Sequence, residues 1–70
     1  MTKEQAVTVG KKLRELRGIR TRVGVARALG ISPSALQAYE TGERMPRDAV
    51  KERIAAYYET TVGELFFSNK

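Results

Sequence analysis

Residues 21–46 read TRVGVARALGISPSALQAYETGERMP, and their centre is Ala28-Leu29-Gly30-Ile31-Ser32-Pro33-Ser34. Gly30 is suited to close a helix, because the residue just past a helix end often takes positive φ and glycine has no Cβ to oppose it. Ser32 can accept a backbone N–H at the start of a new helix. Pro33 then falls at the first helical position, where its missing N–H leaves no bond unmade. One helix therefore ends near Gly30 and the next begins near Ser32. A gap this short makes the two cross at a steep angle around a tight turn.

On the N-terminal side of the turn, Thr21 is the expected N-cap, and Val25, Ala26 and Leu29 form the inner face. Ala26 is small and lets the following helix come close. Gly24 costs this helix about 1 kcal/mol relative to alanine, and would suit close backbone approach to a neighbour or to a phosphate. On the other side, the helix from Pro33 to Thr41 turns Leu36 and Tyr39 inward behind Ile31. Its opposite face carries Ser34, Gln37, Ala38 and Thr41, all short and uncharged, where an ordinary surface helix more often carries Lys and Glu. Such a face suits a helix lying flush against base edges in a major groove, where serine and glutamine hydrogen-bond and alanine touches a thymine methyl. It also suits a plain solvated surface. Gly42 ends the helix, and Glu43-Arg44-Met45-Pro46-Arg47 follows as a loop.

Further out, Thr8 is the expected N-cap of a first helix running to Arg17, with Val9, Leu13 and Leu16 at i, i+4 and i+7 as its apolar stripe. Residues 1–7 read as a flexible leading segment, and Gly18 to Arg20 as the break. Pro46 is expected to open a fourth helix to Tyr58, with Val50, Ile54 and Tyr57 or Tyr58 inward. Thr61 and Glu64 have capping-box spacing and place a fifth helix at Thr61, with Val62, Leu65 and Phe66 apolar and 68–70 as a tail. There is no repeat, linker, low-complexity segment or strand pattern. The expectation is an all-α, compact five-helix bundle over residues 8–67.

Composition narrows the chemistry. Seventy residues make one domain, which at this size buries only about 60% of its unfolded surface. The chain has no cysteine and no histidine, which removes disulfides, thiolate metal sites, the commonest metal ligand and the usual general base. No catalytic residues, metal or cofactor are expected, and the chain is not expected to be an enzyme. Glu40 and Glu43, the carboxylates nearest to each other around a turn, have basic neighbours that favour structural pairing. No run approaches the roughly 20 apolar residues of a membrane span and no secretory pattern opens the chain, so a cytoplasmic location is expected. The net charge is +5, and its distribution is uneven. Residues 1–27 hold eight basic side chains against Glu4 and Glu15, whereas residues 28–70 hold five basic against six acidic. A basic half on a small domain points to a polyanion partner, although basic residues also form solvated helix faces.

With these features in place, the sequence resembles the phage-repressor type of helix-turn-helix domain, the Cro and lambda-repressor-like group also called Xre-type. Three motifs carry the resemblance: Val9-Gly10-Lys11-Lys12-Leu13-Arg14-Glu15-Leu16-Arg17; Ala26 with Leu29-Gly30-Ile31-Ser32, Ser34 and Leu36; and Tyr39-Glu40-Thr41-Gly42-Glu43-Arg44-Met45-Pro46. The resemblance implies a lambda-repressor-like bundle whose third helix lies in the major groove of double-stranded DNA, acting as a homodimer on two half-sites. By position, Pro33, Ser34, Gln37 and Ala38 match base-reading residues. Arg22, Arg44, Ser32 and Arg20 fall in or beside phosphate-contacting positions. Arg22 stands where the family usually has glutamine, so it keeps a phosphate contact but loses or changes the brace that glutamine gives to a base-reading side chain. Arg17 and Glu40 match a structural salt bridge between helices one and three. Phe67 is the candidate dimer contact, whereas Phe66 is expected to close the core. Two departures stand out: the Arg17–Arg22 segment is shorter than the common pattern, and Glu59 occupies a place where a helix-ending glycine is common.

The function expected is that of a sequence-specific DNA-binding transcriptional regulator, a repressor or Cro-like switch of bacterial or prophage type. The alternative is a protein-interaction module, such as an antitoxin that also binds DNA. No small-molecule ligand is evident.

Overall fold

The computed structural model describes residues 2–67. Five helices follow one another: α1 Lys3–Arg17, α2 Arg22–Leu29, α3 Pro33–Thr41, α4 Asp48–Tyr57 and α5 Val62–Phe66. There is no strand among the described residues. α3 packs on α1 and α2, α4 packs on α2, and α5 closes the bundle against α1 and α4. The core is a single cluster, with Val9 and Leu13 from α1, Val25, Ala26 and Leu29 from α2, Leu36 and Tyr39 from α3, Val50, Ile54 and Ala55 from α4, and Leu65 and Phe66 from α5. Leu13, Leu36, Ile54 and Val25 are its largest fully buried side chains, each contributing about 1.5–3 kcal/mol by leaving water.

The turn at the centre of the fold is built as its residues suggest. Gly30 takes a left-handed conformation at φ 73°, and the Ile31 N–H reaches back to the Ala26 carbonyl at 3.0 Å. Ser32 then caps α3, its Oγ accepting from the Ala35 N–H at 3.0 Å, with Pro33 in the first turn. Thr21 caps α2 in the same way, accepting from the Gly24 N–H at 3.0 Å. Gly24 itself is exposed, and a Cβ there would meet only that cap hydroxyl at 3.0 Å, so no close approach by another element requires it.

Gly10, by contrast, is a glycine that a close approach does require. It is buried where α1 crosses α3, and a Cβ there would run into the Glu40 carbonyl and lie 2.8 Å from the Tyr39 carbonyl oxygen. The two backbones therefore touch at this point, which sets the end of α3 against the middle of α1. The short connection from α1 to α2 is a four-residue turn. Gly18 has φ 57° and ψ −123°, as at the first central position of a type II′ turn, and the Arg20 N–H bonds the Arg17 carbonyl at 3.0 Å.

Four expectations need correction. α1 begins at Lys3, not beyond Thr8, so residues 3–7 are helical and not a flexible lead-in. Thr2 is the cap: its Oγ accepts from the Gln5 N–H at 3.1 Å while Gln5 Oε1 accepts from the Thr2 N–H at 3.0 Å, a reciprocal capping box. The Thr8 hydroxyl instead donates to the Glu4 carbonyl within the helix. Leu16 lies on the Val9–Leu13 stripe yet stays 39% exposed and outside the core cluster. α4 begins at Asp48; Pro46 is buried two residues ahead of it, and Arg47 holds the N-cap position without a side-chain bond. The tail at 68–70 lies outside the described residues.

Candidate nucleic-acid interface

Glu40 is the centre of the polar architecture. It sits near the end of α3 with its side chain wholly buried, so its charge requires partners. Arg17 supplies two bonds, Nε to Oε2 at 2.7 Å and Nη2 to Oε1 at 3.2 Å. Its remaining terminal nitrogen, Nη1, donates to the Arg20 carbonyl at 2.7 Å, tying the α1–α2 turn into the same cluster. Arg22, at the first position of α2, adds Nε to Oε1 at 3.0 Å. The hydrogen bonds to Glu40 raise the Arg17 pKa above its ordinary value. One carboxylate on α3 therefore holds an arginine from α1 and another from α2. Arg17 and Glu40 were expected to meet. The participation of Arg22 goes beyond the expected pair, because it depends on how α2 and α3 cross and leaves no local pattern in the sequence.

Tyr58, just past α4, lies beside this cluster. Its hydroxyl is buried with no hydrogen-bond partner among the described residues. Burial raises its pKa above the usual 10.0, Glu40 pushes in the same direction, and Arg20 and Arg17 oppose them. The Arg20 guanidinium rests 5.6 Å from the Tyr57 ring centre and 6.0 Å from that of Tyr58, and its Nη1 donates to the Leu16 carbonyl at 3.3 Å. Arg20 is thus engaged on the aromatic end of α4 and does not share the Glu40 site with Arg22.

The outer face of α3 stands clear of these contacts. Pro33, Ser34 and Gln37 are exposed and Ala38 is half-buried. The backbone N–H groups of Glu43 and Arg44 both return to the Ala38 carbonyl, at 3.0 and 3.3 Å. The loop after α3 is thereby folded back onto the helix end, and the exposed Arg44 side chain projects from a base pinned to the helix that carries Gln37. Ser32 uses an oxygen lone pair to cap α3, which leaves its exposed hydroxyl free to donate outward.

A neutral, short-chained helix face therefore lies on the element that also anchors Arg22 through Glu40 and Arg44 through Ala38. The family description "Helix-turn-helix domain" matches residues 9–65. The chain belongs to the helix-turn-helix domain family. Membership covers α2, the turn and α3, and implies a DNA-binding protein. No curated protein and no solved structure matches the chain. No group of acidic side chains suited to a metal ion occurs among the described residues, and no helix there is long and apolar enough to cross a membrane.

Proposed function

We propose that this helix-turn-helix protein is a sequence-specific transcriptional regulator of repressor or Cro-like type, with no catalytic activity, working on DNA in the cytoplasm. The observation that supports the reading best is the exposed Ser34–Gln37 face of α3, framed by Arg22 and Arg44 on segments bonded to that same helix. In this reading, Pro33, Ser34, Gln37 and Ala38 meet base edges in the major groove. Arg22, Arg44 and the Ser32 hydroxyl hold phosphates and set the register. Arg20 would have to leave Tyr57 and Tyr58 to join them. One good bidentate base contact discriminates by roughly 1–3 kcal/mol, and one short helix offers few of these. The protein would therefore act as a homodimer on a two-fold symmetric site, with half-sites about 34–36 Å apart. Phe67, 61% exposed while Phe66 is buried in the core, is the apolar side chain available at the end of α5 for the dimer contact.

Selection of binding sites from a random duplex pool at about 150 mM salt, where exposed charges are well screened, tests the reading. Enrichment of a short motif repeated with two-fold symmetry is the expected result. Retention of DNA without enrichment would leave only the phosphate term and overturn the sequence-reading role.

A further inference from the structure

We propose that Glu40 is a positioning residue for DNA binding: its buried carboxylate holds Arg22 by Nε so that the two terminal amino groups form a pre-oriented fork for a backbone phosphate. The inference rests on the DNA-binding reading and adds to it the device that aims Arg22.

The geometry carries the argument. A guanidinium has five N–H donors fixed in one plane. Arg22 commits Nε to Glu40 at 3.0 Å, and neither Nη group donates to a protein acceptor among the described residues. With Nε fixed, the opposite edge of the plane, the pair of Nη groups, is the edge left to bind in parallel to two oxygens of one anion. The charge balance points the same way. Two guanidiniums face one carboxylate, so the cluster keeps a surplus positive charge. Arg17 is 16% exposed and uses three of its donors on Glu40 and the Arg20 carbonyl. Arg22 is 38% exposed and uses one. The surplus charge is therefore presented to solvent at Arg22.

Holding the side chain in advance also matters. Ordering a long side chain at the moment of binding weakens affinity, and here Glu40 orders it in the free protein. Because Glu40 belongs to α3, a phosphate gripped by Arg22 is referred directly to the helix that carries Gln37, three residues before Glu40. A lysine at position 22 could not do this. An ammonium has three N–H donors but no fixed plane, so holding it at Glu40 leaves no parallel pair aimed at a phosphate. A purely structural triad, stapling α1, α2 and α3 together, would need Arg22 only for stability.

The test is a double-mutant cycle on the full chain. Affinity for a short DNA duplex of arbitrary sequence is measured against salt for the wild type, Arg22→Gln, Glu40→Gln and the double variant. Circular dichroism establishes that each variant is folded at the working temperature. Arg22→Gln should flatten the salt dependence by about 0.9 in log K per log[salt], the loss of one phosphate contact. Glu40→Gln should lose part of the same affinity although Arg22 is intact, and the double variant should bind no worse than Arg22→Gln. Losses that simply multiply, or an Arg22→Gln variant with an unchanged salt slope, would overturn the proposal. If Glu40→Gln does not fold, Arg22→Lys decides: it should keep the charge-dependent slope yet bind several-fold more weakly, and wild-type affinity would remove the fork. A wild-type chain that binds no duplex at all would overturn the DNA-binding reading, and this inference with it.

Discussion

Among the described residues two charged side chains are buried, in two different ways. Glu40, among α1, α2 and α3, is held by three charge-assisted hydrogen bonds of 2.7–3.2 Å from two arginines. Lys51, on α4 facing α5, has one carboxylate contact among the described residues, Asp48 at 3.8 Å, and otherwise faces the rings of Phe66 and Phe67, 5.6 and 5.1 Å from their centres. Short directional bonds fix the position of every group they join, whereas a cation over a ring tolerates displacement. The first arrangement positions side chains and the second mainly docks a helix. That is why the candidate interface lies on the α1–α3 side, and why α4 and α5 serve it by closing the core behind.

The comparison breaks most sharply at Glu40. Glu40→Ala leaves two guanidiniums facing each other, one of them largely buried. Removing one partner of a buried ion pair typically destabilises by about 3–5 kcal/mol, against a total of roughly 4–10 kcal/mol for a chain of this length. A large fall in the urea midpoint is expected, or failure to fold at ambient temperature. A loss below about 1 kcal/mol would show that the cluster behaves as a surface pair and positions nothing.

Tyr58 tests the border between the two regions. An unpartnered buried hydroxyl costs on the order of 1–3 kcal/mol, so Tyr58→Phe should leave stability unchanged or raise it by about 1 kcal/mol. The pH dependence follows from the direction of the shift. The folded-state pKa is raised above 10.0, chiefly by burial. Native Tyr58 therefore keeps its proton above pH 10, where the unfolded chain has lost it. The unfolded state binds fewer protons there, so this contribution is complete below that pH and is lost as pH rises through the folded pKa. Wild type should lose more stability than Tyr58→Phe between urea titrations on either side of pH 10. Equal losses would place the hydroxyl in solvent, away from the Glu40 cluster.

Much of the fold was legible because its signals are local. Thr21, Gly30, Ser32, Pro33, Gly42 and Thr61 each act on backbone groups within a few residues, and each occupies the cap or turn position that its chemistry favours. Thr2 and Gln5 are equally local. They are harder to read because Thr8, directly ahead of the Val9–Leu13 stripe, has equal capping chemistry, while Ala6, which is also buried, extends that stripe upstream. Leu16 shows the limit of periodicity, which gives the direction of a side chain but not how far its neighbours reach. The candidate site was less legible. The neutral face of α3 can be read from Ser34 and Gln37 alone. The bond from Arg22 to Glu40 spans 18 residues and arises only once α2 and α3 have crossed. The neighbouring α1–α3 crossing depends on Gly10, whose place inside a helix gives no hint that a carbonyl of α3 lies against it.

A smaller effect separates the helix ends on the two sides. α3 ends at Gly42, φ 82°, and α4 ends at Glu59, φ 56°, the one non-glycine residue with positive φ among those described. Both ends close with the same pair of backbone bonds: Gly42 to Tyr39 and Glu43 to Ala38 in one, Glu59 to Ala56 and Thr60 to Ala55 in the other. A left-handed conformation costs an L-residue about 1–2 kcal/mol, part of which glycine returns as backbone entropy. Glu59→Gly should therefore raise stability by about 0.5–1 kcal/mol, read as a higher melting temperature. Because the site lies elsewhere, DNA affinity should not change. A destabilised Glu59→Gly would mean that the α4 end closes by another geometry.

The smallest effect is expected at Lys51, and it is the one that most sharpens the comparison. Lys51 is 8% exposed, so truncation to alanine would confuse lost packing with lost charge. Lys51→Met keeps the unbranched stem and removes only the ammonium. What disappears is a cation–ring attraction of about 0.5–1 kcal/mol and a contact to an Asp48 side chain that is 95% exposed and so worth little. What is gained is relief from desolvating a charge and an apolar end against Phe66. These terms nearly cancel, and the unfolding free energy from urea titration should change by less than about 0.5 kcal/mol in either direction. A loss approaching that of Glu40→Ala would show that Lys51 is also an obligatory ion. The α4–α5 side would then hold its groups as firmly as the side that carries the interface, and the contrast between the two would be gone.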